Sequence, residues 1–393
     1  MPVSEKISAI MEKSSWIRRM FEEGAALKAQ LGAENVFDFT LGNPSMSPPP
    51  AVERGLIKLA AESSPGIHSY MPNAGLPHVR EKIAERLKAV TGLSFTLNHL
   101  IMTVGAAGGL NVAIKSLCDP GDEIIITAPY FPEYLFYADN HQAVCRVVET
   151  DDSFNLDLDK IEKAISTKTR MVLLNSPNNP TGAVYPEGTL NELGEILSRK
   201  SAEYGRPIYL LMDEPYKKLT YGQIKAPDIF KCYSHLIVVT SHSKDLNLPG
   251  ERIGYLAISP NIDDAALLLG AMTFANRILG FVNAPALFQR LVADLQAERV
   301  DMSVYEQNRK TLLDGLTKIG YEVKPPGGGF YLFPKTPAPD DIEFISKLKS
   351  ENILVVPGAG FGRSGHFRIA FCCDNQTCVN ALPGFKKVYE RFR

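Results

Sequence analysis

This chain of 393 residues is poor in cysteine, has a single tryptophan and contains no long uninterrupted apolar run. Its six cysteines (Cys118, Cys145, Cys232, Cys372, Cys373, Cys378) are scattered, with no Cys-x-x-Cys pair. That pattern excludes a disulfide framework and a zinc site and fits reduced thiols, so no metal is expected. The vicinal pair Cys372-Cys373 falls in an apolar strand-like run and reads as packing. Runs such as Leu210-Leu211-Met212 are far too short to cross a bilayer. The opening segment MPVSEKISAIMEKSSW lacks a long apolar stretch and a cleavage-site pattern. An excess of either charge is missing too: 42 Lys+Arg against 44 Asp+Glu gives a net charge of −2. A polyanion such as nucleic acid, or an acidic membrane, is therefore excluded as main partner. The expectation is a soluble, cytoplasmic protein.

What is present is ordinary core material. Apolar residues make up 45% and charged residues 22%, which excludes wholesale disorder. The length predicts two or three domains. Ile17, Met20, Phe21, Gly24, Leu27 and Leu31 recur at helical spacing, with Gly32 as a stop. An extended run, 36–41, meets a breaker cluster from Gly42-Asn43-Pro44 to Pro48-Pro49-Pro50. Helices are predicted at 51–62 and 76–92. Strands follow at 100–104, 123–127, 144–148, 170–175, 208–212, 236–240 and 255–258. Most of these runs are short, continuous and apolar, as strands covered on both faces are, so the expected fold class is α/β: a mainly parallel sheet with helices on each side. Past residue 284 the pattern changes to a long helix (286–315), a Pro325-Pro326-Gly327-Gly328-Gly329 breaker, and strands at 330–333, 353–356 and 367–371. That reads as a smaller α+β domain. The expected division is a large domain over 46–283, with 1–45 and 284–393 forming the small one.

Four segments carry candidate chemistry, each at a strand end, where open α/β sheets bind ligands. Val104-Gly105-Ala106-Ala107-Gly108-Gly109-Leu110 runs from strand to helix and could present backbone N–H groups to a phosphate, or could simply be a tight turn. Ser176-Pro177-Asn178-Asn179-Pro180-Thr181-Gly182 carries an amide at Asn179 that could donate to an oxyanion, or could close an Asx loop. Asp213-Glu214-Pro215-Tyr216 ends an apolar strand with an acid that could cap the next segment or face a cationic ring nitrogen. Ser241-His242-Ser243-Lys244 places a lysine beyond a buried strand, where desolvation would favour a nucleophilic amine. Pro249-Gly250 can then return Arg252 to the anion held by Ser241.

Taken together, Asn179-Pro180-Thr181-Gly182, Asp213-Glu214-Pro215-Tyr216 and Ser241-x-Ser243-Lys244 with Arg252 resemble the ordered motifs of class I/II aminotransferases. These are pyridoxal 5'-phosphate (PLP) enzymes of the aspartate aminotransferase fold, fold type I. The resemblance spans nearly the whole chain, from Gly42-Asn43-Pro44 to Phe367-Arg368-Ile369-Ala370-Phe371. It implies that Lys244 is the Schiff-base lysine, that Asp213 faces the pyridine nitrogen, and that Tyr216 and Asn179 hydrogen-bond the phenolic oxygen. The phosphate would rest on N–H groups of Gly105, Ala106 and Ala107, with Ser241 and Arg252. Phe131 would stack on the ring. Tyr70 would cross to the phosphate of a neighbouring subunit, which requires a homodimer. Strand alternation isolates Arg368 from Phe367, Ile369 and Phe371, and the resemblance gives it the substrate carboxylate, with Gly42 adding an N–H and Asn179 also in contact. Relatives often carry a hydroxyl, an amide or a charge where this chain has Ala106-Ala107. No second arginine for a side-chain carboxylate can be matched. Arg277 lies near the expected region; Arg18, Arg19 and Arg363 are other candidates.

The implied activity is transfer of an amino group between an L-amino acid (aspartate, alanine or aromatic) and a 2-oxo acid such as 2-oxoglutarate, in a ping-pong cycle through pyridoxamine phosphate. A carbon–sulfur β-lyase of the same fold is the alternative, and a PLP-sensing regulator a further one. A Rossmann dehydrogenase is disfavoured, since Gly105-Ala106-Ala107-Gly108-Gly109 is not Gly-x-Gly-x-x-Gly.

Overall fold

The computed structural model describes residues 2–13, 24, 26–62, 65–338 and 340–392. Much of the helix expected over 17–31, with Arg18 and Arg19, lies outside the described residues. The chain divides into two compact units: residues 1–46, 179–182 and 302–393 in one, and 47–178 and 183–301 in the other.

The larger unit is built on a seven-stranded sheet in the order Leu100–Thr103, Gly254–Ile258, Leu236–Ser241, Tyr209–Asp213, Thr169–Asn175, Glu123–Ala128, Val144–Glu149. The last five are mutually parallel. The strands alternate their side chains between two cores. Val172, Leu174, Leu210 and Met212 enter one, while Met171, Leu173, Tyr209 and Leu211 enter the other, which is why these runs read as continuously apolar. The α/β expectation is met. Gly254–Ile258 is the exception to the parallel pattern: it runs antiparallel to both neighbours. The edge strand Val144–Glu149 also differs from a doubly covered strand, since Val144 and Val147 are exposed.

Helix Gly105–Leu117 packs on one face of the sheet through Leu110, Val112, Ala113 and Ile114. Helix Pro77–Thr91 starts at a proline, ends at Gly92 in the left-handed region and buries Val79 and Ile83 on the other face. The helix expected over 286–315 is broken. Ala286–Ala293 and Ser303–Ile319 are separate helices. Between them the carbonyls of Gln296 and Glu298 each accept a bond from Lys218 Nζ at 3.0 Å, and Val300 N–H donates to Asp245 at 2.8 Å. These backbone groups are satisfied outside a helical ladder. Leu291, Val292 and Leu295 pack into the same core as Val79, so 284–301 belongs to the larger unit rather than, as expected, to the smaller.

The smaller unit has an antiparallel sheet, Val356–Pro357, Phe367–Ala370, Tyr331–Leu332, and a parallel pair, Phe37–Asp38 with Ile353–Leu354. Only two residues of the run expected over 36–41 form a strand. Helices Ser303–Ile319 and Asn375–Arg391 accompany the sheets. The core is aromatic, with Tyr321 against Phe344, Phe367, Phe385 and Tyr389. Asn308 Nδ2 donates to the carbonyls of Phe371 and Cys373, fixing the chain beyond the Arg368 strand. Cys372 is buried, as packing requires.

Candidate active site

In the larger unit, strand direction gathers chemistry at one edge. Four of the five parallel strands end at Ala128, Asn175, Asp213 and Ser241, and the antiparallel strand begins there at Gly254. Asp213 is buried. Its Oδ2 accepts a bond from the Tyr134 hydroxyl at 2.7 Å, and its Oδ1 is buried with no partner. Burial pushes the Asp213 carboxyl up to about 7; the Tyr134 bond pulls the other way and Glu214 adds to the rise. Asn175 Nδ2 donates to the Asp213 carbonyl at 2.8 Å and fixes the strand end. A buried acid with one unused oxygen is an acceptor waiting for a donor, ideally a cationic one. Tyr134 was not picked out in the sequence. The available signal was weak: a tyrosine next to Leu135 and Phe136 in helix Glu133–Asn140, whose hydroxyl needs a partner once buried.

Strand Leu236–Ser241 runs directly into a one-turn helix, His242–Asp245, which carries half-buried Lys244. Gly254 pairs with both Ser241 and Thr103. A Cβ there would collide with the Thr240 carbonyl and lie 3.2 Å from the Gly105 carbonyl carbon, so glycine lets three backbones converge. Gly105 has φ +72°, and a Cβ on it would lie 2.8 Å from Arg252 Nη2. Gly105, Ser241 and Arg252 are thus brought together. Ala106 and Ala107 occupy the first turn of Gly105–Leu117, whose leading N–H groups have no helical acceptor. Arg252 donates through Nη1 to the Pro249 carbonyl at 2.9 Å.

Phe131 is half-buried and meets Tyr134 edge-on at 5.6 Å. Tyr216 is buried three residues beyond Asp213. Tyr70 is 94% exposed. Its loop is fastened at the following residues, where Asn276 Nδ2 donates to Asn73 and Asn283 Nδ2 to Pro72. Arg277 is exposed over the Phe274 ring at 5.1 Å. Arg363 sits just after the turn Gly358–Phe361.

The smaller unit contains Arg368, Asn179 and Gly42. Arg368 is 4% exposed and lies between two rings, 4.9 Å from the Tyr331 centroid and 4.8 Å from that of Phe361. Its Nη1 donates to Asn179 Oδ1 at 2.9 Å and its Nη2 to the Thr40 carbonyl. Its Nε is buried without a partner. Among the described residues no carboxylate pairs with this guanidinium. A buried cation with only neutral acceptors is a site for an anion. A Cβ on Gly42 would strike the Tyr331 hydroxyl and ring, so only glycine lets the backbone approach here.

The model of the family "Aminotransferase class I and II" matches residues 34–384. A solved aminotransferase from Eubacterium rectale is 40% identical, covers 100% of both chains and superposes with a TM-score of 0.96. The aspartate/prephenate aminotransferase of Thermus thermophilus is 31% identical over 93% of this chain and 94% of its own. The structure of Thermus thermophilus aspartate aminotransferase with maleate is 28% identical, covers 98% of this chain and 99% of that one, and has a TM-score of 0.85.

Proposed function

We propose, since this chain belongs to the aminotransferase class I and II family and is a transaminase, that it exchanges the amino group of an L-amino acid with a 2-oxo acid such as 2-oxoglutarate, using pyridoxal 5'-phosphate in a ping-pong cycle. The observation that carries this reading is Asp213 Oδ1, a buried carboxylate oxygen without a partner at the carboxyl end of a parallel strand. It fits a protonated pyridine nitrogen, and family members use this cofactor. When bound, PLP supplies an electron-withdrawing ring that stabilises negative charge at the substrate α-carbon.

The remaining chemistry falls to the chain's own groups. Lys244 Nζ would hold the cofactor and then carry the proton between the substrate α-carbon and C4′. Asp213, ionised by its new partner, would keep the ring nitrogen protonated. Tyr216 and Asn179 would bond the phenolic oxygen, and Phe131 would stack on the ring. The phosphate would take the N–H groups of Gly105, Ala106 and Ala107, the Ser241 hydroxyl and the Arg252 guanidinium. Arg368 would bind the α-carboxylate through its two-pronged edge, with Asn179 beside it and the Gly42 N–H as a further donor.

Two finer readings rest on single observations. Tyr70 stands 94% exposed, which supports a second copy as partner and Tyr70 as the group that crosses to it. All six cysteines are free thiols, which supports a reducing, cytoplasmic setting. The relatives' names and the maleate-bound structure favour aspartate as donor. A panel of amino acids added to the PLP-loaded protein tests this, read as conversion of its visible absorbance to that of pyridoxamine phosphate. Rapid conversion by aspartate is expected. Pyruvate release without a 2-oxo-acid acceptor, and no conversion, would instead mark a carbon–sulfur β-lyase.

A further inference from the structure

The helix that carries Lys244 is a single turn, His242–Asp245, with no side-chain cap at Ser241. One turn does not hold itself in water, because nucleation costs more than a single hydrogen bond returns. Its placement must come from what surrounds it. His242 and Asp245 are both buried, and His242 Nδ1 faces the two Asp245 oxygens at 3.2 and 3.3 Å. Lys218 Nζ lies 2.8 Å from Asp245 Oδ2 and also donates to the carbonyls of Gln296 and Glu298. Gln296 Nε2 stands 3.5 Å from His242 Nε2 and donates to Val292 at 2.7 Å.

The backbone closes the same circuit. His242 N–H donates to Ile253 and Val300 N–H to Asp245. Burial would raise the Asp245 carboxyl, yet His242 and Lys218 hold it below its ordinary value. The cluster therefore ties the Lys244 turn to three segments: the loop after Asp213 through Lys218, the strand after Arg252 through Ile253, and the segment 292–300. His242, Asp245, Lys218 and Gln296 also line a cavity of about 320 Å³ with Tyr255, Thr240 and Glu214. Lys244 is not among its lining residues, so the cluster stands between that cavity and the proposed chemistry only through the turn it holds.

We propose that Lys218, Asp245 and His242 form a positioning cluster that aims Lys244 at the cofactor aldehyde by anchoring its one-turn helix to the loop that follows Asp213. None of the three touches the reacting atoms. The inference rests on the proposed role of Lys244, whose amine condenses with the aldehyde to an imine and releases water.

The test is the rate at which apoprotein captures pyridoxal 5'-phosphate, followed by stopped-flow absorbance. K218M leaves Asp245 buried and short of its cation and could fail to fold, so the main variant is K218M/D245N, which removes both charges. K218R keeps the charge and serves as rescue. The double variant should keep wild-type far-UV circular dichroism. Its capture should be slowed about tenfold or more, the visible circular dichroism of the bound cofactor reduced, and kcat lowered with KM nearly unchanged. K218R should recover most of the capture rate. Wild-type capture and visible dichroism in the double variant would overturn the positioning role alone. Failure of the wild-type chain to capture the aldehyde at Lys244 would overturn the reading beneath it as well.

Discussion

Asp213 shows how one residue's surroundings set its chemistry. Its raised carboxyl means that the folded apoprotein binds a proton the unfolded chain releases near pH 4. Stability should therefore fall as pH climbs from about 4 to about 7 and level off above, because the unfolded state holds fewer protons across that window. A rise of about three units corresponds to a loss on the order of 4 kcal/mol. The asparagine variant D213N removes the titrating group while keeping its shape. Urea unfolding of both apoproteins across pH should show the wild type losing stability relative to D213N by that order over the window. A pH-independent difference would contradict the assignment. The same logic explains why Tyr134 escapes a sequence reading. A tyrosine beside Leu135 and Phe136 reads as core, and only the fold brings its hydroxyl 2.7 Å from a carboxylate 79 residues away.

At the scale of elements, the antiparallel strand Gly254–Ile258 shapes the phosphate end of the site. Wedged between Leu100–Thr103 and Leu236–Ser241, it brings Arg252 back to Gly105 and Ser241. The variant G254A would press a methyl group into the Thr240 carbonyl. Overpacking of this kind costs about 1–3 kcal/mol. The cost should appear in denaturant unfolding together with weaker PLP binding by the apoprotein. Unchanged stability and unchanged affinity would contradict the convergence of backbones described here. The strand itself was legible as a strand, because Leu256, Ala257 and Ile258 are fully buried. Its direction was not legible, since burial on both faces erases the alternation that distinguishes the two pairings. The break at 294–302 was hidden for a related reason. The helical spacing of apolar residues continues through it, while the carbonyls leave the ladder for Lys218, which is remote in sequence.

For the whole molecule, composition and apolar runs were enough to predict an α/β chain with a smaller α+β unit. The segment 284–301 went astray because Leu291, Val292 and Leu295 look like any amphipathic helix until their partners are known. Candidate residues were most visible where a polar group ends an apolar strand, as Asp213 and Ser241 do, or interrupts one, as Arg368 does. They were least visible where the signal is a pairing across the fold, as in the cluster behind Lys244. The claim on which the functional account stands is that Lys244 binds the cofactor covalently. Incubation with pyridoxal 5'-phosphate, reduction with borohydride and peptide mass analysis measure it directly. The account predicts a single phosphopyridoxyl group on the peptide containing Lys244, absent from the variant K244A. Label on a different lysine, or spread over surface lysines with none favoured, would contradict it.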